Sequence, residues 1–192
     1  DFPPPTGREE EWRFTPTRRF RDLLAGAASP AELSIAAQVP SPATLTTVSL
    51  DEARTLGISA PADRLAALAV ANAPEVTKLT VPANAELDEP IRLTLTGTGD
   101  ELVWRHLVIE AQPHSKATVV LLHNGSAQIS EVVSAVLRDG ANLTVVAVQD
   151  WSNDAIHAGQ HDAVVGRDAS YTYVPVTLGG AAVRLNANVA YT

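Results

Sequence analysis

Ala141-Asn142-Leu143-Thr144-Val145-Val146-Ala147-Val148 is followed 28 residues later by Ala169-Ser170-Tyr171-Thr172-Tyr173-Val174-Pro175-Val176, with Ala, Thr, Val and Val recurring in register. Ala117-Thr118-Val119-Val120-Leu121-Leu122 stands 24 residues before the first of these, behind the turn-like Pro113-His114-Ser115-Lys116. Runs spaced by 24 to 28 residues, each preceded by a turn signal and with no helix-length pattern between them, are what stacked coils of a β-solenoid leave in a sequence. The alignment of Ala117, Ala141 and Ala169 places Val120, Thr144 and Thr172 on successive rungs, about 4.8 Å apart. Such an architecture does not by itself name a function.

Upstream of this core the pattern changes twice. Residues 1 to 28 mix Pro, Arg, Glu and aromatics, and Phe20, Leu23 and Leu24 at i, i+3 and i+4 predict a short amphipathic helix ended by Gly26. Residues 29 to 75 carry scattered Pro and short apolar runs. They close on a helix that Pro61 starts, Leu65, Leu68 and Ala69 stripe, and Pro74 stops. From Val76 onward almost everything reads as strand and turn. The domain organisation is therefore an N-terminal arm and helical region, 1–75, and a β-helix, 76–192. In the last run Val183, Leu185, Ala187 and Val189 alternate with Arg184, Asn186 and Asn188 and continue to Thr192 without a closing helix. An uncovered coil exposes unpaired backbone groups and core together, so the expectation is a truncated solenoid, or one whose open end meets a partner or a second copy. A chain that starts at Asp1 and lacks methionine also reads as a fragment.

Composition excludes several function classes. A formal net charge of −8 opposes nonspecific binding to nucleic acid. Without cysteine there is no disulfide and no thiolate chemistry, which fits a reducing compartment. No run of 18 apolar residues and no signal peptide is present, so the expectation is a cytoplasmic protein away from membranes.

Chemical motifs are sparse. His157 and His161 at i, i+4 could share a face of a helix or of a strand and chelate a metal, but Ala158-Gly159-Gln160 between them lacks the Glu of a metalloprotease motif. Surface or loop histidines are the favoured reading, and no metal or cofactor is assigned. Asp150, Asp154, Asp162 and Asp168 would suit a Ca²⁺-dependent polysaccharide lyase, with Arg167 or Arg184 as the basic partner. Solvated turn aspartates fit the same spacing better. Gly97-Thr98-Gly99 and Gly179-Gly180 lack the residues of a phosphate loop, and no nucleophile elbow occurs. Gln149 and Trp151 close a strand and put an indole at a corner, where it can cap the core.

Several segments, in order, resemble the SufB/SufD family of the SufBCD iron–sulfur cluster assembly machinery. They are Glu11-Trp12-Arg13-Phe14-Thr15-Pro16, Leu79-Thr80-Val81-Pro82, Leu87-Asp88-Glu89-Pro90-Ile91, Val148-Gln149-Asp150-Trp151, and Thr177-Leu178-Gly179-Gly180 with Arg184. The Trp-Arg-Phe-Thr-Pro segment favours the SufD branch, and the absence of cysteine agrees, because the cluster-building cysteines are attributed to SufB. The resemblance implies a right-handed parallel β-helix after a small helical N-terminal region, and a noncatalytic scaffold role with SufB and the SufC ATPase as partners. It also implies that the SufC-docking segment lies beyond Thr192. Gln149 and Trp151 are then the residues expected nearest the functional interior, since Gln-x-Trp recurs in SufB. The rival readings are the lyase and a plain structural solenoid.

Overall fold

A computed structural model describes residues 2–192. Its frame is a flattened β-solenoid of about four turns. One face is built from the first half of β4 (Ile91–Ala111), the first half of β5 (Lys116–Leu137), β6 (Asn142–Trp151) and β8 (Ser170–Thr177). The other is built from β3 (Val76–Val81), the second halves of β4 and β5, β7 (Ile156–Val165) and β9 (Ala182–Tyr191). All these pairings are parallel. Two shorter strands, β1 (Ser34–Gln38) and β2 (Thr44–Val48), add antiparallel to β4 and β3 and cover the first coil. They lie within the span read from sequence as arm and helices, because exposed Thr and Ala runs give no clean period-two signal.

The turns explain the repeat. Asn84, His114, Gly140 and Asp168 all adopt left-handed backbone, with φ of 59°, 57°, 69° and 57°, at the same position of four stacked turns. Each of the first three donates its N–H to the turn of the next coil: Asn84 to Pro113 O, His114 to Asp139 O and Gly140 to Arg167 O. Asn, Asp, His and Gly are the residues that bear this conformation at least cost. The stacked turns also correct one register. Thr144 faces Thr172 as expected, but its neighbour on the other side is Thr118, and Val120 faces Val146. A slip of two residues keeps every side chain on its face, so apolar alternation cannot detect it; the turn fixes it.

Helices cover the outside of the second face. α1 (Arg21–Ala25) ends on left-handed Gly26, as the sequence indicates. α2 (Leu50–Thr55) has no counterpart in the sequence reading. α3 (Arg64–Asn72) starts three residues after Pro61, because the Asp63 carboxylate accepts the Ala66 N–H and sets the cap, worth about 1 kcal/mol. Phe20, Leu23, Leu65 and Ala69 pack there against Trp104, Val132 and Ala158. Polar contacts fix the docking. The Trp104 indole donates to Ala27 O, the Ser130 hydroxyl to Leu65 O, and Gln160 Oε1 accepts the Ala62 N–H. Arg184 pairs with Asp63 at 2.7 Å and lies over the Trp12 ring.

Candidate functional site

The core between the two faces should be apolar, and for most of its length it is: Leu93, Leu107, Val119, Leu121, Ile129 and Val145 are fully buried. In the second and third coils the alternation keeps its phase but changes chemistry. Val119, Leu121 and His123 form one inward set on β5, and Ile129, Glu131 and Val133 form another across the corner. His123 and Glu131 are both completely buried. Stacking brings Arg105 beneath Glu131, and Gln149 and His157 over His123 and Ile129.

Glu131 is the centre of this cluster. Its Oε2 is held by a short charged contact to Arg105 Nη1. The Nε2 of His123 faces both carboxylate oxygens, at 3.1 and 3.3 Å, and His157 Nε2 stands 3.8 Å from Oε1. An ionised carboxylate only accepts, so His123 donates through Nε2. His157 is turned by Trp151, whose indole N–H donates to its Nδ1 at 3.1 Å, so its remaining proton sits on Nε2. Rings close the set, with His123 5.0 Å from His157 and 5.4 Å from Trp151 between centroids. Toward the last coil His161 stacks on Tyr173 at 4.6 Å.

Electrostatics follow from burial and these contacts. Burial opposes ionisation of Glu131, yet His123 and then Arg105 outweigh it and hold the carboxyl well below the usual range. Burial, with His123 adding to it, lowers His157 to about 3, and burial lowers His161 to about 4. Both are neutral imidazoles near neutral pH. Several buried polar atoms have no partner among the described residues: Arg105 Nε and Nη2, His123 Nδ1, Gln149 Nε2, His157 Nε2, both nitrogens of His161, and the Tyr171 and Tyr173 hydroxyls. Buried polar groups are ordinarily satisfied, and such a concentration inside one core marks a site.

The residues singled out in sequence are thus separated. Gln149 and Trp151 are inside, 0% and 3% exposed, in contact with the cluster. His157 and His161 share one face of a strand, not of a helix. Four residues of strand span about 13 Å, so the two cannot chelate one ion as a pair. They are also not surface or loop residues: both are buried in β7. The four aspartates do not gather. Asp150, Asp154 and Asp168 are exposed, and buried Asp162 bonds Gln160 and Asn188 against the helical layer. Arg167 pairs with Asp139 and Asp168, and Arg184 with Asp63. The carboxylate platform of a lyase is therefore not formed by these residues. Sequence reasoning missed Arg105, His123 and Glu131, whose signal was a polar residue in phase with a buried alternation.

Residues 93–192 match the SufBD core domain of the SUF system for FeS cluster assembly. The chain belongs to the SufBD family. It is 36% identical over 192 residues to iron–sulfur cluster assembly SufBD family proteins of Mycobacterium bovis and Mycobacterium tuberculosis. It is 35% identical to that of Mycobacterium leprae. These alignments cover 99–100% of this chain and 48–49% of the relatives, so the chain spans about half the length of the curated SufBD proteins it matches. In this SufBD chain, the matched region carries all of the buried polar cluster. No helix among the described residues is long and apolar enough to cross a membrane.

Proposed function

We propose that this chain is part of a SufD-type subunit that acts, without catalysing a reaction itself, as a scaffold in a cytoplasmic SufBCD-type machine, paired with SufB and the SufC ATPase. The observation that supports this best is the SufBD core match over a cysteine-free solenoid. A stiff parallel stack with a helical layer clamped to one face suits a platform that transmits motion. The SufD branch rests on the Trp12-Arg13-Phe14-Thr15-Pro16 segment, whose Trp12 anchors the arm under Arg184. SufC docking belongs, in this reading, to residues outside the 192. The exposed Val174, Leu178, Val189 and Tyr191 beside β8 and β9 would let the 192-residue chain associate with itself when no partner covers them.

The test is a deletion of the gene for the full-length protein, followed by assay of iron–sulfur enzymes in the cell extract. The expected result is loss of their activity with apoprotein still present, restored by the wild-type gene, and no ATP turnover by the purified protein alone. Undiminished iron–sulfur enzymes under iron limitation would contradict the proposal.

A further inference from the structure

We propose that Glu131 Oε1, His123 Nε2 and His157 Nε2 form a binding site for one divalent first-row transition ion of the Fe²⁺ class, gated by the Trp151 indole. One ligand atom of each of the three residues lies within 4.8 Å of those of the other two, and all three side chains are completely buried. Donors held about 2.1 Å from one ion at tetrahedral or octahedral angles stand roughly 3.0–3.4 Å apart. The His123 to Glu131 distance of 3.1 Å already satisfies this, and the 3.8 Å from His157 closes with a small ring movement. Arg105 occupies the other carboxylate oxygen, which leaves Oε1 as the one presented to both imidazoles.

Two further observations point to the same place. His157 Nε2 is buried without a partner, aimed at Oε1. The position stacked on Glu131 is Gly159, where a Cβ would stand 3.3 Å from that nitrogen, so the absence of a side chain keeps its approach open. The donor chemistry selects the class of ion. Two imidazoles and one carboxylate with remaining positions open suit a divalent first-row transition ion, Fe²⁺ and an open Zn²⁺ site alike, whereas Ca²⁺ and Mg²⁺ prefer all-oxygen sets and the chain has no thiolate for softer ions.

The gate follows from tautomers. A neutral histidine that ligates through Nε2 must carry its proton on Nδ1. For His123 that nitrogen is free to take it. For His157 it accepts the Trp151 N–H, so the described arrangement is the closed form, and metal entry requires the indole to turn away. Removing that indole N–H should therefore favour the ion.

The experiment is an anaerobic titration of the chelator-stripped full-length protein with Co²⁺, read by visible d–d absorption and tryptophan fluorescence, with Fe²⁺ as competitor. One bound Co²⁺, displaced by an excess of Fe²⁺, is expected, together with a fluorescence change. Glu131→Gln and His157→Gln should each weaken binding by about tenfold or more, and Trp151→Phe should tighten it by roughly threefold or more. Absence of Co²⁺ binding, or equal affinity in folded Glu131→Gln protein, overturns the proposal. If the Gln variants do not fold, Trp151→Phe decides: tighter binding supports the site, and unchanged or weaker binding refutes it.

Discussion

Trp151 donates its indole N–H to Nδ1 of His157 across 3.1 Å, inside a solenoid core where both side chains are buried. This bond fixes the imidazole with its proton on Nε2, directed at Glu131. In metal-free protein, long-range ¹⁵N–¹H correlation should show the Nε2–H tautomer for His157 at neutral pH. Trp151→Phe should shift the population toward Nδ1–H. An Nδ1–H form in the wild type would mean that the indole points elsewhere.

Acid should destabilise the metal-free protein well above the carboxylate range. His106 is lowered to about 4 by burial and then by Arg105, and His161 to about 4 by burial. Between the unfolded value near 6.5 and the folded value, the unfolded state binds protons that the native state refuses, so stability falls as pH drops through that window. Each histidine contributes about 1.4 kcal/mol per pH unit there. Asp162, whose carboxyl is raised by burial, works against this at pH above its ordinary value. Urea midpoints from pH 7 to 4.5 should decline steadily, and His106→Gln should flatten the slope. A midpoint constant to pH 5 would show that these rings are not held neutral.

Gly125 should tolerate no side chain. Its φ is +75°, and a Cβ there would overlap the carbonyl of Gly97 in the coil below. Conformational strain and overlap together predict that Gly125→Ala costs about 2 kcal/mol or more. Chemical denaturation gives the value, and a loss below about 0.5 kcal/mol would mean that the corner is looser than described.

Arg184 holds the N-terminal layer to the last strand through Asp63 and Trp12. Its removal leaves Asp63 largely buried without its charge partner, so Arg184→Ala should cost about 2–4 kcal/mol. Amide exchange should rise selectively in residues 12–25 and α3. Uniform exchange across the chain would place the clamp elsewhere.

The solenoid was legible because each coil restates one turn and one alternation, so Ala141 to Val148 and Ala169 to Val176 carry the same information twice. Its register one coil earlier was not, since Thr118 and Val120 are interchangeable by face and only the left-handed column through His114 and Gly140 separates them. Gln149 and Trp151 drew notice through chain order. Glu131 escaped it because its partners are scattered along the chain: His123 lies across the corner of the same strand, Arg105 is 26 residues away on the preceding coil, and His157 lies on the following one. A charged residue in phase with Ile129 and Val133 looks in sequence like an ordinary break in a strand. Only the stacking of coils and the corner within β5 show that Arg105, His157 and His123 are there to receive it.

The most direct measurement is the composition of the complex recovered when the full-length protein is tagged at its native locus and purified anaerobically under iron limitation. The account predicts that a SufB-type paralogue and a SufC-type ATPase copurify in fixed proportion, while tagged residues 1–192 retain no ATPase. A full-length protein recovered alone, or residues 1–192 that bind the ATPase tightly, would contradict it.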